Sequence, residues 1–121
     1  MTKKFLVVDD SASMRQLVSS TIKDAGYEVL IAENGMDALS KLNNGKFDMV
    51  ITDLNMPDMD GIELIKKLRT LQDYRFVPII MLTTESQEAK KQEGKQAGAS
   101  GWIVKPFSSE KLLGVVKKFM K

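Results

Sequence analysis

The chain has 121 residues, which is enough for one domain that buries its own hydrophobic core. It contains no cysteine and no histidine, which excludes disulfides, thiolate metal sites, and histidine as a base, nucleophile or metal ligand. The 18 basic and 16 acidic residues nearly balance, so the net charge gives no reason to expect a nucleic-acid partner.

The N-terminal segment has only four apolar residues after its first charges, too few for a signal peptide or a membrane span. We therefore expect a cytoplasmic protein with no membrane partner. The sequence contains no repeat or low-complexity tract that would divide it. It predicts a single domain over residues 1–121.

Five apolar runs alternate with five segments that have helical spacing. The runs predict buried strands at residues 4–9, 27–32, 48–53, 77–83 and 100–105. The helices are predicted, in chain order, from residues 14–25, from Ala38, Leu39 and Leu42, from Ile62, Ile65, Leu68 and Leu71, from residues 87–97, and from Leu112, Val115, Val116 and Phe119. Ser108 is the predicted cap of the last helix.

The fourth helix is predicted to be loosely held. Its small or apolar residues are only Ala89, Gly94 and Ala97. A glycine inside a helix costs roughly 1 kcal/mol relative to alanine. We therefore expect this helix to be a moving part of the molecule.

Strict alternation of strands and helices predicts a parallel sheet with helices on both faces, which is the doubly wound α/β architecture. We expect a flavodoxin-like (βα)5 fold with strand order 2-1-3-4-5. Ligands of such sheets bind beyond the carboxyl ends of the strands where the order reverses, here strands one and three. Asp9, Asp10 and Asp53 lie at these two strand ends.

These carboxylates predict a metal site. Three carboxylates within about 5 Å of one another repel by roughly 3 kcal/mol per pair at an effective dielectric constant near 20. Mg²⁺ compensates such repulsion, and it prefers carboxylates, carbonyl oxygens, waters and phosphate oxygens. We expect Asp10 and Asp53 to be direct ligands. A backbone carbonyl in the loop just beyond Asp53, with that of Asn55 as the first candidate, would complete the protein's share, and Asp9 would act through water.

The fourth and fifth strands end on Thr83 and Lys105, a hydroxyl and an ammonium. Both suit a phosphoryl group, whose oxygens they can bind while a carboxylate attacks the phosphorus. Taken singly, each residue also has a structural explanation, since aspartate caps helices and lysine commonly points into solvent. Their occurrence together at four strand ends favours a site in which Asp53 is the nucleophile.

A set of motifs spread over the chain is specific when taken together: Asp9-Asp10, Asp53, Met56-Pro57, Asp60-Gly61, Thr83 and Lys105-Pro106-Phe107. With these residues the chain resembles the receiver domain of two-component response regulators over its whole length. Residues 53–61, 82–85 and 98–107 are most similar to the single-domain chemotaxis members of that family.

The resemblance implies that Asp53 accepts a phosphoryl group from the phosphohistidine of a sensor kinase. It implies that Mg²⁺ is the cofactor, held by Asp10, Asp53 and the Asn55 carbonyl with help from Asp9. It also implies that Lys105 pairs with the phosphoryl group, across a bond to the following proline that is typically cis. The chain would assist its own phosphorylation and dephosphorylation without being an enzyme that acts on other substrates.

Further implied roles concern timing and output. Asn55 and Glu85 would tune hydrolysis of the acyl phosphate, and we expect short-lived phosphorylation. Thr83 would bond a phosphoryl oxygen and report its presence. Trp102 stands where the family usually has tyrosine or phenylalanine, an aromatic that moves inward in the switch. Tryptophan is larger and would move less, and an edge-strand aromatic packed on the surface is the alternative.

The same resemblance implies a partner surface formed by the fourth helix, the fifth strand and the fifth helix. A downstream protein would bind there, and a flagellar motor switch is one candidate. Lysines 90, 91 and 95 either steer acidic partners or solvate the helix. The chain ends one helix after the fifth strand, so we expect a monomer that has no attached effector domain.

Two other functions fit parts of the sequence. A Mg²⁺-dependent aspartyl-phosphate phosphatase also uses a nucleophilic aspartate, but such enzymes usually carry a second aspartate where this chain has Asn55. A flavodoxin-type FMN carrier would need residues 11–13 as its phosphate loop. An anionic phosphate is disfavoured beside Asp9 and Asp10 unless a metal intervenes.

Overall fold

A computed structural model of the chain describes residues 2–84 and 86–120. In this part of the chain, strands and helices alternate. They are β1 (Lys4–Val8), α1 (Ala12–Asp24), β2 (Glu28–Ala32), α2 (Gly35–Lys41), β3 (Met49–Asp53), α3 (Gly61–Thr70), β4 (Ile79–Thr84), α4 (Glu88–Ala97), β5 (Gly101–Lys105) and α5 (Ser109–Phe119). Two short 3-10 turns, Leu42–Asn44 and Gln72–Tyr74, follow α2 and α3.

The five strands form one parallel sheet in the order β2-β1-β3-β4-β5. This order confirms the predicted flavodoxin-like α/β fold. Because all strands run in the same direction, their carboxyl ends meet at one edge of the sheet. The residues that end or follow β1, β3, β4 and β5 are therefore brought together beside the point where the strand order reverses.

The sheet separates two hydrophobic clusters. One cluster lies between the sheet and the helices α2, α3 and α4 and includes Val50 of β3 and Leu68 of α3. The other lies beneath α1 and α5 and includes Ile51 of β3, Ile22 and Val116. Successive residues of β3 thus belong to opposite faces, as expected for a central strand that is buried on both sides.

The observed element boundaries differ slightly from the predicted ones. The strands other than β1 begin one or two residues later than predicted, and β4 extends one residue further, to Thr84. Leu71 was wrongly predicted to lie on the buried stripe of α3. The helix ends at Thr70, and Leu71 has an extended backbone that starts the turn toward β4, so 39% of it is exposed.

α3 is firmly attached to the sheet. The Asp60 carboxylate accepts a hydrogen bond from the Glu63 N–H at 2.9 Å, and the Glu63 carboxylate accepts one from the Asp60 N–H at 3.3 Å. This reciprocal capping box satisfies two N–H groups that would otherwise lack partners. The helix also buries five residues: Gly61, Ile62, Leu64, Ile65 and Leu68.

α4 is attached differently. The residue before it, Gln87, makes no side-chain capping bond to the helix, and within α4 only Gly94 is buried. A β-carbon at position 94 would clash with the sulfur of Met81 in β4. Glycine therefore allows α4 to approach the sheet closely, and the residue that lowers the helix propensity has a packing role.

No helix among the described residues is long and apolar enough to cross a membrane.

Candidate functional site

Asp53 is the last residue of β3 and lies 7% exposed at the carboxyl edge of the sheet. Its Oδ1 accepts a hydrogen bond from the Leu54 N–H at 2.9 Å and lies 3.1 Å from Lys105 Nζ. The loop beyond it is shaped by Gly61, whose N–H donates to the Leu54 carbonyl at 2.9 Å. A β-carbon on Gly61 would clash with the Asp53 carbonyl, so a larger residue would displace the strand end.

Three carboxylates meet at this point, as the sequence predicts. Asp9, Asp10 and Asp53 each offer an oxygen, and these atoms all lie within 4.8 Å of one another. Asp9 is fully buried and Asp10 is exposed, so the group opens to solvent on one side. Oxygen donors of this kind and number fit a hard divalent cation such as Mg²⁺.

Burial raises the pKa of the Asp9 carboxyl, and the nearby charge of Asp53 adds to this effect. The Ser11 N–H, 2.9 Å from Asp9 Oδ1, and the ammonium of Lys105 act in the opposite direction without cancelling it. A raised pKa means that the ionised form of the Asp9 carboxyl is disfavoured at this position. A bound cation would offset that cost.

Lys105 ends β5 and reaches two of the carboxylates. Its Nζ lies 3.1 Å from Asp53 Oδ1 and 3.5 Å from Asp9 Oδ2. The ammonium is therefore held beside the carboxylate of Asp53. The Lys105-Pro106 peptide bond is cis, as the resemblance implies.

Thr83 lies at the same edge, and its hydroxyl forms its hydrogen bonds on the α4 side. It is 1% exposed, and its hydroxyl lies 3.1 Å from Gln87 Oε1 and 3.2 Å from the Thr84 carbonyl oxygen. The structure thus brings together Asp9, Asp10, Asp53 and Lys105. It leaves the Thr83 hydroxyl turned toward α4.

A family model described as the response regulator receiver domain matches residues 5–117. The chain belongs to the response regulator receiver family. The chemotaxis protein CheY1 of Helicobacter pylori is 45% identical over 111 residues, which cover 90% of this receiver domain and 90% of that protein. The chemotaxis protein CheY-3 of Vibrio cholerae is 41% identical over 110 residues, which cover 90% of this chain and 85% of that protein.

A solved structure of similar shape supports the same assignment. The crystal structure of the chemotaxis protein CheY4 of Vibrio cholerae superposes on this receiver domain with a TM-score of 0.94 and 51% sequence identity. The match covers 98% of this chain and 99% of that one. The chain is therefore a CheY-like receiver domain, and its fold and family agree with the sequence analysis.

Asn55, a predicted site residue, lies in the loop between β3 and α3 of the receiver domain. Asn55 is exposed, two residues beyond Asp53 and before α3, which is where a metal-binding carbonyl was expected. Glu85, predicted to tune hydrolysis, lies outside the described residues. The roles of both remain predictions.

Trp102 lies on β5, the edge strand of the receiver sheet, and is 38% exposed. The register pairs Thr83 with Val104, two residues from Trp102, so Thr83 and Trp102 face the same side of the sheet. Lys91 Nζ of α4 lies 5.9 Å from the centre of the Trp102 ring. The aromatic side chain thus lies outward, beside α4.

Two contacts near the receiver site were not predicted. The Arg15 guanidinium donates a hydrogen bond to the Asp9 carbonyl at 2.7 Å, which fixes the backbone at the acidic pair. The Gln87 side chain binds the Thr83 hydroxyl. The helical spacing placed Arg15 on α1, but nothing in the sequence identifies a backbone carbonyl as its partner. The Gln87 contact likewise depends on how the β4–α4 loop folds.

Proposed function

We propose that this receiver domain is the response regulator of a chemotaxis-type two-component system and that Asp53 accepts a phosphoryl group from a sensor-kinase phosphohistidine. The observation that carries the proposal is the buried Asp53 carboxylate, with Lys105 Nζ at 3.1 Å and two further carboxylates within 4.8 Å. The names of the relatives, which are chemotaxis proteins, support the pathway.

In the proposed reaction a carboxylate oxygen of Asp53 attacks the phosphorus in line with the phosphohistidine nitrogen. The new O–P bond forms as the N–P bond breaks, and the histidine leaves with its electron pair and takes up a proton. Lys105 is already beside the attacking carboxylate, so its ammonium can bind a phosphoryl oxygen without a large movement. Hydrolysis of the acyl phosphate restores Asp53, with Asn55 and Glu85 tuning its rate and keeping phosphorylation short-lived.

Asp9, Asp10, Asp53 and the Asn55 carbonyl would hold Mg²⁺ in this proposal. When bound, Mg²⁺ supplies positive charge that offsets the carboxylates and the phosphoryl oxygens. Asp9 is the least exposed of the three carboxylates, and it accepts a hydrogen bond from the Ser11 N–H. It therefore forms the buried side of the acidic cluster. The chain acts as a phosphoacceptor and does not turn over other substrates.

The output is proposed to follow from Thr83 and Trp102. Thr83 bonds a phosphoryl oxygen, Trp102 changes its environment, and the surface of α4, β5 and α5 binds a downstream protein. A flagellar motor switch is one candidate for that protein. A phosphoryl group needs to favour one of two arrangements by only a few kcal/mol for such a switch. We expect the chain to act as a monomeric single domain.

Intact mass after incubation with Mg²⁺ and a small phosphodonor tests the proposal. We expect one phosphoryl adduct on the wild type and on Asp24→Ala, an exposed control aspartate, and none on Asp53→Ala. Equal labelling of Asp53→Ala would contradict it. Continuous release of phosphate from a generic phosphate ester would instead indicate a phosphatase.

A further inference from the structure

Gln87 joins the end of β4 to the start of α4 through both its side chain and its backbone. Its Oε1 accepts hydrogen bonds from the Thr83 hydroxyl at 3.1 Å and from the Thr84 N–H at 2.8 Å. Its own N–H donates to the Thr84 carbonyl at 3.1 Å, and its carbonyl accepts the Lys91 N–H at 2.9 Å. Gln87 thereby connects Thr83 to the first turn of α4.

A threonine hydroxyl has one proton to donate. Within the described residues, the Thr83 hydroxyl has two hydrogen-bond acceptors, Gln87 Oε1 and the Thr84 carbonyl oxygen. Both lie on the α4 side. A phosphoryl oxygen on Asp53 would compete for the same proton. Thr83 therefore cannot bond to the phosphoryl group and to Gln87 at the same time.

The Thr83 hydroxyl bonds a phosphoryl oxygen more strongly than it bonds Gln87, but the exchange removes a contact of α4. A hydrogen bond to a charged oxygen is roughly twice as strong as one between neutral groups, so Thr83 gains by the exchange. Gln87 Oε1 keeps the Thr84 N–H as a donor, so the exchange leaves no buried donor without a partner. The first turn of α4 loses its connection to Thr83.

That turn also lies against Trp102. The Lys91 N–H donates a hydrogen bond to the Gln87 carbonyl, and Lys91 Nζ lies 5.9 Å from the centre of the Trp102 ring. α4 has only Gly94 buried and no side-chain cap, so few other contacts oppose a movement of its first turn. A change at Gln87 would reach the tryptophan through these contacts.

We propose that Gln87 is a positioning residue that holds the Thr83 hydroxyl and the first turn of α4 in the unphosphorylated arrangement. This inference rests on the proposed role of Thr83 as the residue that bonds the phosphoryl group. Gln87 opposes phosphoryl binding at Asp53 while it holds Thr83. Its release from Thr83 frees the start of α4.

The test measures the affinity for beryllium fluoride, a phosphoryl mimic, in the presence of Mg²⁺ by calorimetry. Gln87→Met keeps the length of the side chain and removes the acceptor. We expect it to bind the mimic about threefold to tenfold more tightly than the wild type, because one neutral hydrogen bond no longer opposes binding. Gln92→Met, an exposed position on the same helix, is the matched control and should match the wild type.

Two further comparisons separate positioning from a general effect on α4. In a Thr83→Ala background, Gln87→Met should no longer change the affinity, because the hydroxyl it acts through is absent. Gln87→Glu restores an acceptor and should return the affinity to the wild-type value or below it, with Gln92→Glu as the control for the added charge. Trp102 is the only tryptophan of the chain, so its fluorescence can be followed directly. The emission maximum of Gln87→Met without the mimic should shift toward that of the wild type with the mimic bound.

Equal affinities for Gln87→Met and Gln92→Met, or the same tightening without the Thr83 hydroxyl, would overturn the inference about Gln87. Failure of the wild type to bind the mimic at all would instead contradict the proposed function. In that event, hydrogen exchange at the Thr84 amide still decides whether Gln87 holds the β4 end. Faster exchange in Gln87→Met than in Gln92→Met supports this contact, and unchanged exchange overturns it.

Discussion

α3 and α4 have the same length, ten residues each, and lie on the same face of the sheet, yet they are attached in different ways. α3 has a capping box at its start and buries five residues. α4 has no side-chain cap and buries only Gly94. The helix that follows the Asp53 loop is therefore rigidly placed, while the helix beside Thr83 can move at a small cost in free energy.

The two ends of α4 also differ. At the C-terminal end the Arg69 guanidinium donates to the Gly98 carbonyl from Nε at 3.0 Å and from Nη2 at 2.7 Å. Its Nη1 donates to the Tyr74 and Val77 carbonyls, both at 2.7 Å. At the N-terminal end Gln87 Oε1 accepts from the Thr83 hydroxyl and the Thr84 N–H, and Lys91 Nζ lies 5.9 Å from the centre of the Trp102 ring. We infer that α4 moves most at its first turn and is held by α3 at its last.

The largest expected effect comes from removing the contact between α3 and the end of α4. Arg69→Met keeps an unbranched hydrocarbon stem and removes the guanidinium that donates to three carbonyls. We expect the free energy of unfolding to fall by about 2 to 3 kcal/mol, because hydrogen bonds to a charged group are lost from a partly buried site. Urea unfolding measures this, with Lys66→Met on the exposed face of α3 as the control. A loss no larger than that of the control would show that Arg69 does not fix α4.

Glycine-to-alanine substitutions in two helices sharpen the comparison. Gly114→Ala in α5 meets nothing within 4 Å and should stabilise the protein by roughly 0.5 to 1 kcal/mol through helix propensity. Gly94→Ala in α4 gains the same propensity but forces the buried Met81 to move, an overpacking cost of about 1 to 3 kcal/mol. We therefore expect a net destabilisation of Gly94→Ala in urea unfolding.

Shortening Met81 provides the control for this pair. In a Met81→Val background the new methyl group at position 94 no longer meets a sulfur, so Gly94→Ala should lose its penalty relative to Met81→Val alone. A double-mutant cycle measures the coupling. Equal stabilisation by Gly94→Ala and Gly114→Ala in the original background would contradict a packing role for Gly94.

The fold and the group around Asp53 could be predicted because they depend on patterns that are local in sequence. Apolar runs and turn residues define alternating strands and helices, and parallel topology then brings Asp9, Asp53 and Lys105 to one edge. The strand ends needed only one-residue accuracy for this purpose. β3 and β5 end at the same edge, where Lys105 Nζ lies 3.1 Å from Asp53 Oδ1.

The features that sequence reasoning missed depend on tertiary packing. In the sequence Gly94 indicates only a loss of helix propensity, since nothing local shows that Met81 lies beneath it. Leu71 continues the helical spacing of α3, but the chain turns there and the spacing no longer describes its direction. Gln87 and Arg69 are long side chains that reach several partners, and their backbone and hydroxyl acceptors carry no pattern in the sequence.

α2 lies on the same face of the sheet as α3 and α4 and allows the effect of capping to be separated from the effect of helix length. α2 has only seven residues, yet Asn34 caps it and Asp37 Oδ2 accepts the Glu33 N–H at 3.1 Å and lies 3.3 Å from Lys41 Nζ. The Glu33 N–H, followed by Lys41, lowers the pKa of Asp37 below its ordinary value of 3.8. The negative charge of Asp37 therefore stabilises the folded chain.

Asp37→Asn gives the smallest expected effect. Near neutral pH the variant should unfold more easily by less than about 1 kcal/mol, because the charge is partly exposed and screened by solvent. A lowered pKa means that the contribution is present above the unfolded pKa and is lost as pH falls through the folded pKa. The difference between wild type and variant in urea unfolding should therefore shrink below about pH 4. A difference that stays constant with pH would show that Asp37 acts through its shape and hydrogen bonds, and capping charge would then not explain the attachment of α2.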